Sequence, residues 1–351
     1  MGRVRMLLLL AIGVALVCAA PAAATHVQCG DTIVVDTTLD SDLSCPENGL
    51  AVGAAGVTLD LDGHVIQGAE EEETSGVAIL GGPELQGAEV RGGRIRGFPI
   101  GVYVDGVPDV VVHDMVLAHN ALGVHCGYAP GCSVLDSVLR NNGGGIRMTA
   151  TDDDSTQVSF IDDNTVRDNG LGIKLTDNPT AVTDNVIRRN ATGGLKIDYL
   201  GSVEVADNVI ADNGGNGLEA YFGAIVTVWD NQIVRNVANG VLVYGGFDVN
   251  TQADVRYNHI SRNGGDGVQV AEQGVYATVK RNRTDRNGDD GVEVGYTVAP
   301  VCCFQVVVTA NEAFHNTDLG IQAVTGTTDG GGNRAKRNGN PAQCIGVACS
   351  R

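Results

Sequence analysis

The stretch Asn208–Ala220, with the sequence NVIADNGGNGLEA, decides how the whole chain is interpreted. Its first Asn is followed five residues later by a second Asn, and four residues after that a Gly and an aliphatic residue begin a short alternating run. The same unit recurs, and successive first Asn residues are 21, 23, 23, 27, 24, 29 and 22 positions apart. A repeat of this length is typical of stacked coils, in which each coil buries its apolar face against its neighbours. The Asn pairs are Asn164/Asn169, Asn185/Asn190, Asn208/Asn213, Asn231/Asn236, Asn258/Asn263, Asn282/Asn287, Asn311/Asn316 and Asn333/Asn338, preceded by the related pair Asp136/Asn141.

The letters of one unit also predict how a coil is built. Leu218 to Tyr221 alternate between inward apolar or small residues and outward polar ones, which is the pattern of a strand with one buried face. We expect Gly217 to lie at a corner, where the backbone often takes a positive φ that favours glycine. Aliphatic residues two positions after the first member of six pairs predict a second inward column, made up of Val138, Val166, Ile187, Ile210, Ile233 and Ile260.

The repeated Asn residues are predicted to be structural. Stacking in register would let their side-chain amides hydrogen bond from coil to coil, and Asn tolerates the left-handed conformation of a tight corner. The glycosylation sequons at Asn190 and Asn282 fall on these positions. We therefore interpret both sequons as part of the ladder and not as glycosylation sites.

The first 24 residues have the features of a secretory signal peptide. Arg3 and Arg5 precede the apolar run Met6–Val17, and Pro21–Ala24 supplies small residues for cleavage. We expect loss of residues 1–24 and a soluble monomer that is secreted, periplasmic or at the cell surface. No later run is long and apolar enough to span a bilayer, so no membrane insertion is expected.

The net charge limits the choice of partners. The chain carries a formal charge of −19, and loss of Arg3 and Arg5 with the signal peptide would bring it to −21. Such an acidic surface argues against nucleic acid and against an anionic membrane as partner.

Eight of the nine cysteines follow the signal peptide, and an even number in an exported chain predicts disulfide bonds. We expect Cys29 to pair with Cys45 and Cys126 with Cys132. The other four are the adjacent cysteines Cys302 and Cys303 and the C-terminal cysteines Cys344 and Cys349. Two alternatives are open for Cys302 and Cys303: they bond to each other, or they bond to Cys344 and Cys349. Zinc is the less favoured alternative, because no His lies at ligand spacing from the cysteines.

The repeat predicts a single domain after the signal peptide. We expect an N-terminal cap at residues 25–56, a coil region at residues 57–340 and a C-terminal tail at residues 341–351. The first regular coil begins with Val57–Ile66, VTLDLDGHVI, and its edge needs a cover. We predict about twelve coils, or a rod about 58 Å long at about 4.8 Å per strand.

The pattern Asn-x-Ile-x-x-Asn-x-x-x-Gly-Ile, with the opening LDLDGH at Leu59–His64, resembles the right-handed parallel β-helix repeat proteins. That group has the pectate-lyase-like fold and includes carbohydrate-binding, sugar-hydrolase and NosD-type repeats. The resemblance covers residues 29–340 and implies an all-β, single-stranded right-handed parallel β-helix. It implies a polysaccharide as partner but does not choose between lyase, hydrolase and epimerase activity. The Asp-Pro-His-Asp motif of the mannuronate epimerases and the signatures of polygalacturonases and pectate lyases are absent from the sequence.

Variation in repeat length points to one surface. The spacing from second Asn to Gly is three or four residues, whereas the spacing from Gly to the next first Asn ranges from 13 to 20. The insertions therefore share the corner after the Gly-aliphatic strand, and such insertions often line the binding face of a solenoid. The long ones are Thr149–Gln157, Tyr244–Gln252 and Tyr296–Gln305.

The strand beside this corner carries two outward columns of residues. Three cations follow one another in the first column, although the chain as a whole is acidic. The first column is His125, Arg147, Lys174, Lys196, Glu219, Leu242, Gln269, Glu293 and Gln322. The second column is Gly127, Thr149, Thr176, Asp198, Tyr221, Tyr244, Ala271, Gly295 and Val324.

These columns predict a saccharide site. Arg147, Lys174 and Lys196 would bind carboxylates of a uronate-containing polysaccharide. Tyr221 and Tyr244 would offer a sugar ring an apolar face while their hydroxyls stay in water. All of these except Tyr221 are assigned to substrate binding alone.

Catalytic roles are predicted for Asp198, Glu219 and Tyr221. Asp198 and Glu219 would be diagonal neighbours on adjacent coils, about 7–8 Å apart at Cβ. Two carboxylates at about that separation can share acid and base work in an inverting hydrolase, and Tyr221 would stack on a ring or carry a proton. The alternative is that Lys196 and Glu219 form an ion pair while the tyrosines only pack together.

No metal ligands and no cofactor are predicted. Calcium is an alternative for the insertion that contains Asp152, Asp153 and Asp154, although a lone acidic loop is more often simply solvated. The sequence thus predicts an exported β-helix that binds, and as a further hypothesis processes, a polysaccharide or cell-surface glycan. The alternative from another class is a non-catalytic structural or surface module, a rigid acidic rod.

Overall fold

The computed structural model describes residues 26–149, 157–199, 201–246, 250–295 and 304–351. In these ranges the chain is a right-handed parallel β-helix of three long sheets, and the helical content is the 3₁₀ turn Pro83–Leu85. A coil contributes one strand to each of sheets A, B and C in that order, and each strand pairs in parallel with its equivalent in the neighbouring coils. The predicted fold class is confirmed.

The sheets contain 14, 13 and 14 strands in the described part of the chain. Sheet A consists of Thr32–Ile33, Leu50–Val52, Ser75–Leu80, Ile100–Asp105, Leu122–Gly127, Gly144–Thr149, Leu171–Thr176, Gly193–Asp198, Leu218–Tyr221, Val241–Tyr244, Val268–Ala271, Val292–Gly295, Ile321–Ala323 and Cys344–Ile345. Sheet B consists of Thr37–Thr38, Thr58–Asp60, Glu89–Arg91, Val111–His113, Ser133–Leu135, Ser159–Asp162, Thr180–Thr183, Ser202–Ala206, Ile225–Trp229, Thr251–Arg256, Val275–Lys280, Phe304–Thr309 and Thr328–Gly331. Sheet C consists of Leu43–Ser44, Val65–Gln67, Arg94–Arg96, Val116–Ala118, Val138–Arg140, Thr165–Arg167, Val186–Arg188, Val209–Ala211, Gln232–Val234, His259–Ser261, Arg283–Asp285, Glu312–Phe314, Asn333–Lys336 and Cys349–Ser350.

The helix has about 13 turns, one more than the number predicted. The difference arises at the N-terminus, where Thr32–Val52 already contributes strands to all three sheets. At about 4.8 Å per turn the rod is about 62 Å long.

The core lies inside the coils and consists of stacked aliphatic columns. Ile173, Leu195, Leu218 and Val241 pair in register on adjacent strands of sheet A and are at most 1% exposed. The predicted second column is buried from Val166 to Ile260, and Ile210 is fully enclosed. Val138 is only half-buried, and Leu139 takes the core position in its coil. Each coil therefore buries its apolar face against the coils above and below it, as expected.

The two Asn ladders are present. Asn208 Oδ1 accepts hydrogen bonds from the backbone N–H and from Nδ2 of Asn185, at 2.9 and 3.0 Å. Asn208 Nδ2 donates in turn to the carbonyl oxygens of Val182 and Ala206 and to Asn231 Oδ1. The second ladder repeats this bonding through the other Asn of each pair, and the sequon residues Asn190 and Asn282 are at most 1% exposed.

One pair was assigned in the wrong frame. The ladder positions are Ser137 and Asn142, not Asp136 and Asn141, because the backbone N–H groups of Ser137 and Asn142 donate to the next coil's Asn side chains. Asp136 and Asn141 instead have φ of 46° and 54°. The residue before each ladder Asn, and not the Asn itself, therefore occupies the left-handed corner.

The reason given for the repeated glycine was also wrong. Gly217 does not have a positive φ. A Cβ at Gly217 would lie 2.7 Å from the Gly240 carbonyl oxygen, 2.7 Å from Ile233 Cγ2 and 2.8 Å from Asn236 Nδ2. Glycine is required because the ladder and core side chains approach the backbone too closely for any side chain.

The two predicted disulfides, Cys29–Cys45 and Cys126–Cys132, are formed. Cys344 and Cys349 bond to each other and pin the last two strands together. The Cys344–Cys349 bond excludes the alternative in which Cys302 and Cys303 bond to Cys344 and Cys349. Cys302 and Cys303 lie outside the described residues.

Candidate functional site

The predicted site residues lie together on the outward face of sheet A. Lys174, Lys196 and Glu219 pair in register on consecutive strands, and Arg147 lies opposite Lys174 on the strand before. Asp198, Tyr221 and Tyr244 form the parallel second column. The seven residues span five adjacent strands, or about 19 Å along the rod at about 4.8 Å per spacing.

Asp198 is the centre of the charged group. Lys174 Nζ lies 3.6 Å from Asp198 Oδ2, and Lys196 Nζ lies 3.8 Å from Asp198 Oδ1. The Asp198 side chain is only 9% exposed although it faces outward, whereas the two lysines are 34% and 36% exposed. The lysine stems cover the carboxylate while their ammonium groups stay accessible to solvent.

Glu219 does not form the ion pair with Lys196 that was the alternative to a catalytic role. Lys196 is paired with Asp198, and Glu219 Oε1 accepts a hydrogen bond from Asn216 Nδ2 at 2.6 Å. Glu219 is half-buried and remains the diagonal neighbour of Asp198, as predicted. An incoming group therefore meets Glu219 more readily than Asp198.

Four aromatic rings form a surface beside the charged group. The Tyr221 and Tyr244 ring centroids are 5.4 Å apart, and Phe222 lies 5.7 Å from Tyr221 and 6.1 Å from Tyr244. Tyr199 lies 6.4 Å from Phe222. Tyr199 and Phe222 are 56% and 42% exposed. They escaped prediction because they lie past the strand ends at left-handed corners, where the period-two pattern stops.

Tyr221 links the rings to the charges. Lys196 Nζ lies 5.0 Å from the Tyr221 ring centroid, within cation–π range. Burial, and then the charges of Glu219 and Asp198, raise the pKa of Tyr221 to about 12. The phenol is therefore protonated at neutral pH, so it can donate a proton or a hydrogen bond but cannot act as a base.

Arg147 ends the row of cations. Its side chain is exposed, and no ion pair to it occurs in the described part of the chain. The neighbouring His125 is half-buried, and burial followed by the Arg147 charge lowers the pKa of His125. His125 is thus uncharged at neutral pH and leaves Arg147 as the first cation of the row.

The insertions that motivated this corner are mostly outside the described residues. That applies to residues 150–156, 247–249 and 296–303, and so to the calcium hypothesis at Asp152, Asp153 and Asp154. Elsewhere, carboxylate oxygens of Asp289, Asp290 and Asp318 lie within 4.8 Å of one another.

A third ladder, which the sequence analysis missed, runs beside the site. Asn216, Asn239, Asp266 and Asp290 precede the repeated Gly in four successive coils, and each side chain accepts the backbone N–H of the equivalent residue in the following coil. Asp266 and Asp290 are each 3% exposed. Burial raises the pKa of Asp266 to about 8 and that of Asp290 to about 7, with the charge of Glu293 adding to both effects.

Comparisons with known proteins agree with the observed fold. Residues 101–254 match the family described as "right handed beta helix region". The match agrees with the right-handed parallel β-helix fold of the described chain. No curated protein sequence is significantly similar to it. No helix in the described ranges combines the length and the apolar character needed to cross a membrane.

Several solved structures are similar to this one. A double mutant of the periplasmic alginate epimerase AlgG has a TM-score of 0.61 at 12% identity, over 91% of this chain and 78% of that one. The A-module of the mannuronan C-5 epimerase AlgE4 from Azotobacter vinelandii has a TM-score of 0.52 at 19% identity, over 84% of both chains. The Dettilon tailspike protein has a TM-score of 0.55 at 12% identity, over 87% of this chain and 61% of that one. At these identities the similarity establishes the shared fold and no activity.

Proposed function

We propose that this protein is exported and binds an acidic, uronate-containing polysaccharide on the outward face of sheet A. The observation that carries the proposal is the alignment of Arg147, Lys174 and Lys196 on consecutive strands beside Tyr221 and Tyr244. Export is supported by the N-terminal sequence features and by the disulfides, which persist in oxidising compartments.

The charges favour an anionic ligand at this place. Three cations stand in line on a chain whose net charge is −19. Asp198 pairs with both Lys174 and Lys196 and holds their ammonium groups close together. Its negative charge reduces the repulsion between the two lysines, so both can bind carboxylates of one ligand. Charge-assisted hydrogen bonds from Arg147, Lys174 and Lys196 to uronate carboxylates would set the ligand's register along the rod.

The aromatic rings favour a sugar over other anions. Tyr221, Tyr244, Phe222 and Tyr199 present a continuous, partly exposed surface at the strand of Lys196 and the two strands that follow it in sheet A. An inorganic anion or an acidic peptide needs no such surface, whereas the apolar face of a pyranose ring can lie on it. Two of the similar structures named above are an alginate epimerase and a mannuronan C-5 epimerase, which is consistent with this choice of substrate.

Processing of the polysaccharide is a second candidate function, carried by Tyr221. A protonated phenol beside a lysine can donate a proton to a group whose negative charge the lysine stabilises. In this scheme Glu219 is the accessible base, and Asp198 positions Lys174 and Lys196. A Tyr221→Phe variant that binds normally but loses all turnover would support the scheme, whereas an absence of turnover in the wild type would leave a binding protein.

The experiment is calorimetric titration of polymannuronate and polygalacturonate oligomers into wild type, Lys196→Ala and Lys280→Ala. Lys280 is the matched control, because its Nζ lies 3.5 Å from Asp254 on the outward face of sheet B. Loss of Lys196 should weaken binding by about 1.5–3 kcal/mol, or about 10- to 150-fold, and Lys280→Ala should bind like wild type. Equal loss in both variants would indicate a non-specific charge effect. Failure of the wild type to bind any acidic or neutral glycan would favour the structural rod.

A further inference from the structure

A pocket of about 770 Å³ opens on the same face of sheet A, nearer the N-terminus than the row of cations. Its floor is formed by Ala51, Ala78 and Tyr103, which pair in register on successive strands. One wall is built from the turns that lead from sheet C into sheet A, at residues 46–49, 73–75 and 99–100. The pocket exists because Ala51 and Ala78, between this wall and the Tyr103 ring, have side chains too small to fill the space. Its volume is in the range of small-ligand sites.

The lining is apolar and contains no cation among the described residues. The rings of Tyr103 and His125 stack with centroids 5.3 Å apart and planes at 17°. Leu80 and Ile100 add aliphatic surface, and the charged residues of the lining are Glu47 and Glu73. Two carboxylates with no neutralising partner in the lining repel an anionic group, so the pocket suits an uncharged group with an apolar face.

The pocket and the cations lie on one line. Ala78, Tyr103, His125, Arg147, Lys174 and Lys196 are successive members of a single outward column of sheet A. Tyr103 and Lys196 are four strand spacings apart, or about 19 Å. One extended oligosaccharide parallel to the rod can therefore contact both regions.

We propose that this pocket is a second sugar subsite of the same groove, and that it takes an uncharged or acyl- or methyl-substituted ring. Arg147, Lys174 and Lys196 hold carboxylate-bearing rings of the same chain. The preferred ligand is then an acidic heteropolysaccharide, or a polyuronate that carries ester or acetyl groups, and not an unsubstituted polyuronate. This inference rests on the proposed function and adds to it the pattern of substitution along the ligand.

The test is a glycan array printed with three series of hexamers: unsubstituted uronates, the same uronates with methyl-ester or O-acetyl groups, and neutral hexoses. Ala78→Phe fills the pocket from its floor, and the half-exposed outward position of Ala78 leaves the core intact. Tyr103→Ala removes the stacking surface without filling the pocket. Tyr257→Ala, on a tyrosine that is 44% exposed and is absent from the pocket lining and the site, is the control.

Wild type should bind the substituted uronates best. Ala78→Phe and Tyr103→Ala should each lose about tenfold or more on that series while binding unsubstituted uronates like wild type, because only the pocket contacts change. Tyr257→Ala should match wild type on every series.

Two results would overturn the inference. If Lys174→Ala and Lys196→Ala abolish binding but both pocket variants bind every series like wild type, the pocket is no subsite and the proposed function stands. If wild type binds none of the three series, the proposed function fails and the subsite with it. Melting temperatures within about 3 °C of wild type would verify that the variants are folded.

Discussion

Removing one Asn from the ladder tests the principle that holds the coils in register. In Asn208→Ala, the buried backbone N–H of Asn185 loses its acceptor, and the carbonyl of Val182 loses a donor. An unsatisfied buried polar group costs about 1–3 kcal/mol, and each lost hydrogen bond about 1 kcal/mol. We therefore expect a loss of about 2–4 kcal/mol in the free energy of unfolding.

The second ladder supplies a matched variant, because Asn213 Oδ1 accepts the Asn190 N–H and Nδ2 in the same way. Asn213→Ala should cost about as much as Asn208→Ala. Asp207→Asn is the control, since Asp207 is exposed at a φ of 57° that Asn also tolerates. Its stability should change by less than about 0.5 kcal/mol.

The assay is urea denaturation followed by circular dichroism, combined with native-state hydrogen exchange read by mass spectrometry. Exchange localises the effect, because repeat proteins open in segments of neighbouring coils. In Asn208→Ala, protection should fall in the strands that contain residues 182–187 and 205–211 more than at either end of the rod. If Asn208→Ala were as stable as Asp207→Asn, or if protection fell equally everywhere, the ladder would not hold the coils in register.

Three further outcomes are expected. Leu195→Ala should cost about 2–5 kcal/mol, as for other enclosed leucines, and a loss under about 1 kcal/mol in urea denaturation would mean that the column is loosely packed. Because folding raises the carboxyl pKa of Asp266 to about 8 and that of Asp290 to about 7, the native state binds protons more tightly than the unfolded chain. Stability should therefore fall by up to about 1.4 kcal/mol per pH unit per group as pH rises from about 4 towards 7–8, and Asp266→Asn should flatten that slope when melting is measured across the range. Peptide mapping without reductant should recover Cys29 joined to Cys45, and free thiols at both positions in exported material would contradict the assignment to an oxidising compartment.

The repeat could be predicted because the spacing of the letters carries it. Asn185, Asn208 and Asn231 are separated by one coil length each, so their stacking follows once a solenoid is assumed. The sequence predicted Asp136 as a ladder residue because Ser137, and not Asn, occupies the ladder position in that coil. Its Oγ accepts the Met115 backbone N–H at 3.1 Å, so the hydroxyl replaces the amide and hides the repeat from a search for Asn alone.

The candidate site was predictable as a set of columns but not as a set of contacts. Period-two alternation places Lys174, Lys196 and Asp198 on the outward face. The alternation does not predict that Lys196 forms its ion pair with Asp198 on the same strand, or that Glu219 instead accepts a hydrogen bond from Asn216. Side-chain torsions settle such choices after the backbone is placed, by burial and competition between neighbours.

By itself the amino-acid sequence determined the architecture, because a periodic pattern of apolar residues, Asn and Gly admits few arrangements other than stacked coils. It also determined which residues share a face of sheet A. Only the tertiary structure decided which pocket and which aromatic surface form on sheet A. Pro46 and Pro99 are 53 positions apart in the chain, yet turns from different coils bring both to the rim of one pocket over Ala78 and Tyr103. The aromatic surface at Tyr199 and Phe222 likewise forms between corners, where the strand periodicity ends and the positions of side chains depend on the neighbouring coil.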